Sequence, residues 1–305
     1  MSTPEEFDAR FAEMQRLTME LGSTVYQDWL DTFLPQVEAH CDTILNFDYD
    51  SPSTTEVAAF VASFYDIVVD LWDIHMRVNI PPMNAVFGFE EFLSEVLGPE
   101  AATESRLLQQ GFDNKSIETG KAIWALSRWI REDASFQTLL ESAGTVDGIV
   151  QVGDHQRSAE FNERWQAFLD VYGWRSDKFI EIGHPTWREE QGSALNQLKA
   201  FVAKPDDEDP YASHRAQAAN RDALVDEFEQ RLPEPARPQF RAMVPLVQQY
   251  IPIAEDHNFA IDQRAHAVIG HGVPQLGRRL KAVGLMPDAD AVFYHTLEVF
   301  AAFGG

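Results

Sequence analysis

Three consecutive polar side chains, Asp256, His257 and Asn258, are the strongest candidates for chemistry in this chain. They follow Pro252, a residue type that often begins a helix, and His257 stands at helical spacing from Ile261. A histidine within hydrogen-bond reach of a reacting group can act as a general base, and a carboxylate can orient its ring. The sequence therefore predicts His257 as a base oriented by Asp256. The alternative is structural, with Asp256 capping the helix and His257 solvated in its first turn.

A second candidate lies at the end of an aromatic stripe. The stripe has the three- and four-residue spacing of one helix face: Phe60, Phe64, Val68, Leu71 and His75. Trp72, Asn79 and Met83 are neighbours of His75 along the same pattern, and this combination suits a flat, mostly apolar ligand. We predict a pocket lined by His75, Trp72, Asn79 and Met83. The alternative is a core histidine bonded to a carbonyl. Pro81-Pro82 is expected to end this helix.

Two separated segments carry a resemblance to a known family. Residues 172–201 read YGWRSDKFIEIGHPTWREEQGSALNQLKAF, and residues 276–300 read LGRRLKAVGLMPDADAVFYHTLEVF. In this order, Tyr-Gly-x-Arg with Pro-x-Trp-Arg-Glu, and paired arginines before Gly-Leu and Thr-x-Glu, resemble one domain type. It is the acceptor-binding domain of PEP-synthase-like dikinases, which include rifampicin phosphotransferase and phenol-phosphorylating enzymes.

The resemblance implies a division of labour. In such enzymes one domain binds ATP, a swivelling domain carries phosphate on a histidine, and a third part holds the acceptor. This chain would supply only the third part, so ATP and Mg²⁺ would be bound by partner domains or subunits. The acceptor would be a small aromatic compound with a hydroxyl group, which His257 would deprotonate. Asn258 would contact the substrate, and Arg175 and Arg264 would meet the arriving phosphoryl group. The alternative for these arginines is an ordinary salt bridge.

Composition excludes several classes of partner. The chain has 305 residues and a formal net charge of −25, which repels nucleic-acid phosphates and anionic lipid. Its one cysteine, Cys41, cannot form an internal disulfide and suits a reducing compartment. No apolar window has the length of a membrane span, and the N-terminus does not resemble a signal peptide. These features predict a cytoplasmic protein without nucleic-acid or membrane contacts.

Periodicity predicts a mainly α architecture with at most short extended segments. A first amphipathic helix is expected over Phe7–Leu21, and the charged, proline-bounded link 204–210 is the best internal breakpoint. It separates a helical region, 1–203, from a second region, 211–305, that completes the same acceptor-binding unit. Pro274 is expected to interrupt the helical pattern that begins near Pro252.

Other classes of site find less support. A metal site in a helical bundle would need Glu-x-x-His pairs, which the sequence lacks, so we predict no metal. The glycine-punctuated run 144–153 lacks the Lys-Ser/Thr of a phosphate loop and is interpreted as a connection. The main alternative function is a non-catalytic helical scaffold that docks the partner domains of a dikinase.

Overall fold

The computed structural model describes residues 24–146, 149–178 and 180–296, together with Arg16, Gly22 and Val299. The predicted helix Phe7–Leu21 lies outside the described residues, Arg16 excepted. Helix accounts for 75% and strand for 2% of the structure, which confirms the mainly α prediction. None of the helices in the described part of the chain combines the length and the apolar character that a membrane span requires.

The α-helices are α1 (Val25–Asp28), α2 (Leu34–Leu45), α3 (Thr54–Ala62), α4 (Phe64–Leu97), α5 (Pro99–Glu104), α6 (Lys115–Arg131), α7 (Ala134–Ser142), α8 (Ser158–Tyr172), α9 (Gly192–Val202), α10 (Ala212–Arg231), α11 (Arg237–Gln248), α12 (Tyr250–His257) and α13 (His266–Ala282). Turns of 3-10 helix cover Ser105–Gln109, Glu234–Ala236 and Asp290–Tyr294, and π-helical segments cover Trp29–Phe33 and Asn258–Ala265. The strands β1 (Thr145–Val146) and β2 (Ile149–Val150) pair antiparallel.

Local signals in the sequence set several helix ends. Ser53 and Glu56 form a capping box at the start of α3, in which each side chain accepts from the other residue's backbone N–H. The Asn114 side chain accepts the Ile117 N–H at 3.0 Å at the start of α6. Gly284 has a φ of 77° just after α13, the left-handed geometry that glycine adopts without strain.

Two predicted helix breaks at proline are wrong. Pro81 and Pro82 lie inside α4, which continues to Leu97, and Pro274 lies inside α13. A proline in a helix interior removes a hydrogen bond and costs about 3 kcal/mol. Pro81 and Pro82 are both buried, so packing around them offsets the local cost.

The chain divides into two compact units, each built from separate parts of the sequence. The first unit holds the described residues up to Pro35, Asp73–Glu118 and Asp209–His257. The second holds Gln36–Trp72, Thr119–Glu208 and the described residues from Asn258 onward. One boundary falls between Glu208 and Asp209, inside the link 204–210.

The core of the first unit is formed by α4, the 3-10 turn after α5, α10 and α11. Its central rings are Phe89 and Phe240, whose centroids lie 5.6 Å apart. Burying a side chain of this size stabilises the fold by about 1.5–3 kcal/mol. These contacts fix the positions of α4 and α11, and α12 follows directly after α11.

The core of the second unit is built largely by α6, α7, α8 and α9. Aromatic rings run along α8, where Phe161 stacks near Trp165 and Trp165 stacks near Phe168. On α13, a Cβ at Gly270 would lie 2.1 Å from the Ile182 carbonyl oxygen, and one at Gly277 would lie 2.0 Å from that of Ala289. Glycine at these two positions lets the backbone of neighbouring segments approach the helix closely.

Candidate functional site

His257 is the last residue of α12 and lies in the first unit, 3% exposed. Its Nδ1 lies 2.7 Å from the carbonyl oxygen of Ile253. Because a carbonyl only accepts, Nδ1 carries the proton and Nε2 carries the lone pair. Burial lowers the pKa of His257 from 6.5 to about 4. The hydrogen bond to Ile253 raises this pKa, and the neighbouring His75 lowers it further. The ring is therefore neutral at pH 7, with Nε2 available to accept a hydrogen bond.

His75 on α4 contacts His257 directly. The two ring centroids lie 4.7 Å apart with an interplanar angle of 73°, an edge-to-face arrangement, and His75 is half-buried. Asn79, one turn further along α4, is also half-buried. The structure thus brings together, in the first unit, two histidines that the sequence indicated separately.

Asp256 does not orient His257 as predicted, because the Ile253 carbonyl fills that role. The Asp256 carboxylate instead accepts the backbone N–H of Lys115 at 2.8 Å, at the first residue of α6. Burial raises the pKa of Asp256, and the bond from Lys115 opposes this rise. The structural alternative is also wrong for His257, which is buried in the last turn of its helix rather than solvated in the first. Asp256 does cap a helix, but that helix is α6.

A cleft of about 360 Å³ lies on the same two helices. Its apolar wall consists of Met83, Val86 and Phe87 from α4 with Tyr250 and Ile251 from α12. At ~1.5 Å per residue, Met83 is about 12 Å from His75 along α4 and Ile251 is about 9 Å from His257 along α12. The histidine pair and the cleft are therefore about 10 Å apart along one pair of helices.

The other end of the cleft is polar. Glu90 and Arg106 form a salt bridge of 2.9 Å there. Gln109, the last residue of the 3-10 turn, and Gln110, the residue after it, also line this end. The Gln110 side-chain oxygen accepts a hydrogen bond of 2.7 Å from the Gln217 side chain.

The second unit holds other predicted residues in a polar chain. Arg175 is buried, and it donates to the Thr119 hydroxyl at 3.2 Å and to the Gln263 side-chain oxygen at 3.0 Å. Gln263 donates in turn to Asn258 at 2.9 Å. The Arg175 guanidinium also lies 4.8 Å from the centre of the Phe259 ring. Two predicted substrate-contacting residues, Arg175 and Asn258, are thus linked through Gln263.

The remaining predicted residues of the second unit lie nearer the surface. Trp72 is 38% exposed on α4. Arg264 forms an ion pair with Glu38 at 3.5 Å, which is the salt-bridge alternative considered for it.

Sequence reasoning missed most of the cleft. Met83, Val86, Phe87 and Glu90 have the i, i+3, i+4, i+7 spacing of a helix face, but a helix ending at Pro81 removes that pattern. Gln109 gave no signal at all, because a glutamine in a 3-10 turn has no characteristic spacing.

Comparison with known proteins supplies the family. A family model described as the rifampicin phosphotransferase fourth domain matches residues 75–255. Chondramide synthase cmdD of Chondromyces crocatus is 26% identical over 303 residues, which covers 97% of this chain and 8% of that protein. The uncharacterized phosphotransferase YvkC of Bacillus subtilis (strain 168) is 20% identical over 275 residues, or 90% of this chain and 32% of that protein.

Rifampicin phosphotransferase of Streptomyces sviceus is 24% identical over 257 residues, or 77% of this chain and 29% of that protein. The chain therefore spans less than a third of the length of each of these relatives. The family match covers more than half of the chain and includes His75, the cleft and all but the last two residues of α12. The chain belongs to the family of the rifampicin phosphotransferase fourth domain.

Proposed function

We propose that this chain is the acceptor-binding part of an ATP-dependent, dikinase-like phosphotransferase. The acceptor is a hydroxyl group on a small aromatic compound. The phosphoryl group arrives on a phosphohistidine from a partner domain or subunit, and ATP and Mg²⁺ are bound by partners rather than by this chain. Relatives named as phosphotransferases support the reaction class.

The observation that carries the proposal is the position of the histidine pair. His257 offers a neutral Nε2 in a buried setting, beside His75, on the two helices that also form the apolar wall of the cleft. One ligand would satisfy both features if its aromatic body lay in the cleft and its hydroxyl group, about 10 Å away along the helices, reached Nε2.

His257 is suited to orient the acceptor hydroxyl more than to deprotonate it fully in advance. A phenol titrates near ~10, whereas the pKa of His257 is about 4 in the ligand-free protein. The ring accepts the hydroxyl hydrogen at Nε2 and keeps the oxygen lone pair directed at the phosphorus.

A weak base is sufficient for this reaction class. Phosphoryl transfer passes through a loose transition state in which the bond from the attacking oxygen is little formed, so little charge develops on that oxygen early. The negative charge of the arriving phosphoryl group also raises the pKa of a nearby histidine. As the bond between phosphorus and the nitrogen of the carrier histidine breaks, the bond to the acceptor oxygen forms and the hydroxyl proton passes to Nε2.

The test is binding and transfer with a matched pair of histidine variants. We expect phenol and 2-naphthol to raise the melting temperature of the wild-type chain, because a ligand that binds only the folded state stabilises it. His257→Gln should weaken binding by roughly two- to ten-fold, the value of one hydrogen bond. His271→Gln is the control, since His271 is exposed on α13. In the complete enzyme, the loss of phosphoryl transfer should exceed the loss of binding.

Two results would overturn the proposal. One is the absence of any melting shift with hydroxylated aromatic compounds. The other is unchanged binding and transfer in His257→Gln.

A second candidate function is a non-catalytic scaffold that docks partner domains. Met76, Ile80 and Phe87 on α4 are 49%, 40% and 61% exposed, and a partner domain could cover these apolar side chains. A scaffold would show no melting shift with any phenol.

A further inference from the structure

Gln109 is a buried polar side chain that lines the cleft. It is 6% exposed, and its amide has no hydrogen-bond partner among the described residues. The Gln109 amide atoms are not among the buried unpaired atoms of the described residues, so we place them in contact with the water of the cleft, which a ligand amide can replace. The neighbouring Gln110 differs, because its amide oxygen already accepts from Gln217 at 2.7 Å. Gln109 is thus the amide in this cleft with both its N–H₂ group and its oxygen open to a ligand, whereas the Gln110 oxygen is already engaged.

The size of the cleft sets the size of that ligand. An apolar cavity of about 150 Å³ holds one benzene ring. The cleft measures about 360 Å³, more than twice that volume. Its apolar wall of Met83, Val86, Phe87 and Ile251 suits fused or linked rings rather than a single phenol.

The charges at the cleft favour a neutral ligand. Glu90 and Arg106 are the charged residues that line it, and they neutralise each other in a 2.9 Å salt bridge. The chain as a whole carries a formal charge of −25, which repels anions. An anionic ligand would have to displace Glu90 from Arg106.

We infer that the cleft binds a neutral compound of two or more rings that bears a carboxamide or an equivalent donor–acceptor pair, and that Gln109 selects this group. The Gln109 N–H₂ donates to the ligand carbonyl, and its oxygen accepts the ligand N–H. The inference rests on the proposed function in one respect, since it takes the occupant of the cleft to be the acceptor substrate.

Calorimetry with three matched probes tests the inference on the wild-type chain without any phosphoryl donor. Naphthalene-2-carboxamide has the donor and the acceptor, 2-acetylnaphthalene has the same shape without the N–H, and 2-naphthoate carries a negative charge. We expect the carboxamide to bind roughly three- to ten-fold more tightly than the ketone, which is the change in affinity that one neutral hydrogen bond produces. The carboxylate should bind more weakly than either.

Variants at neighbouring positions assign the preference. Gln109→Leu should bring the carboxamide and ketone affinities within about two-fold of each other, because both then lose the amide partner. Gln109→Met provides the same test if the leucine variant is poorly folded. Gln110→Leu is the matched control and should keep the carboxamide preference, since the Gln110 oxygen already accepts from Gln217 and is not open to the ligand N–H. Equal affinities in the wild type, or a preference that survives Gln109→Leu and Gln109→Met, would overturn the inference. Tighter binding of the carboxylate would overturn its neutral-ligand part.

The outcome is separable from that of the proposed function. His257→Gln should leave the carboxamide preference intact, because His257 lies about 9 Å along α12 from the cleft. A preference that depends on Gln109, with no phosphoryl transfer to any hydroxyl compound in the complete enzyme, would reject the proposed function and keep the binding site. Transfer to a phenol without any role for Gln109 would do the reverse.

Discussion

The buried, neutral state of His257 predicts a pH-dependent loss of stability. The folded protein holds this ring at a pKa of about 4, whereas the ordinary value is 6.5. The folded state therefore binds fewer protons than the unfolded chain between these values. The stability that His257 provides is complete above pH 6.5 and is lost as the pH falls toward 4.

The magnitude follows from the two pKa values. Protonation of the unfolded chain, with the folded ring still neutral, lowers the free energy of unfolding by about 2 kcal/mol between pH 7 and pH 5. This is a large part of the 5–15 kcal/mol that typically separates folded and unfolded states.

Urea denaturation at a series of pH values measures this effect as a difference between proteins. His257→Gln removes the titrating ring, so its free energy of unfolding should fall less steeply than that of the wild type, by about 2 kcal/mol over this range. His271→Gln removes an exposed histidine and should keep the steep wild-type dependence, because His257 remains. Parallel curves for the wild type and His257→Gln would refute the reasoning, whatever the absolute stability of the variant.

Two further substitutions each test a contact within one unit. Asp256→Ala should lower the free energy of unfolding by about 1–2 kcal/mol, because the Lys115 N–H at the start of α6 loses its carboxylate partner. Thermal melting measures this loss, and an unchanged melting temperature would contradict it. Gly277→Ala should lower the free energy of unfolding by about 1–3 kcal/mol or more, because the added Cβ would lie 2.0 Å from the Ala289 carbonyl oxygen. Gly144→Ala is the control: its Cβ would meet nothing within 4 Å, so this variant should melt close to the wild type.

Local chemistry in the sequence predicts the helices but not their continuity. The Ser53 capping box and the glycine after α13 depend on a few adjacent residues, and the structure contains both. The breaks expected at Pro81 and Pro274 depend on local cost alone. Tertiary packing outweighs that cost, and no pattern near a proline reports how well its surroundings are packed.

The same limit applies to the candidate site. His75 and His257 stand out singly, through their residue type and their place on helix faces. Their contact joins segments far apart in the sequence, which helical spacing cannot reveal. Asp256 was predicted to orient His257 because it is the adjacent residue and carries a carboxylate. The helix runs from Tyr250 to His257, so the turn before His257 already provides a backbone carbonyl, that of Ile253.

The hydrogen bond from His257 to Ile253 ends at a main-chain atom, and this has a consequence for how the chain can diverge. No side-chain replacement at position 253 removes that oxygen, so the helix backbone determines that the ring proton lies on Nδ1. Neighbouring residues are then free to change while the lone pair of Nε2 keeps its direction. A reactive nitrogen fixed in this way can be adapted to new ligands by altering the walls around it, without rebuilding the group that holds it.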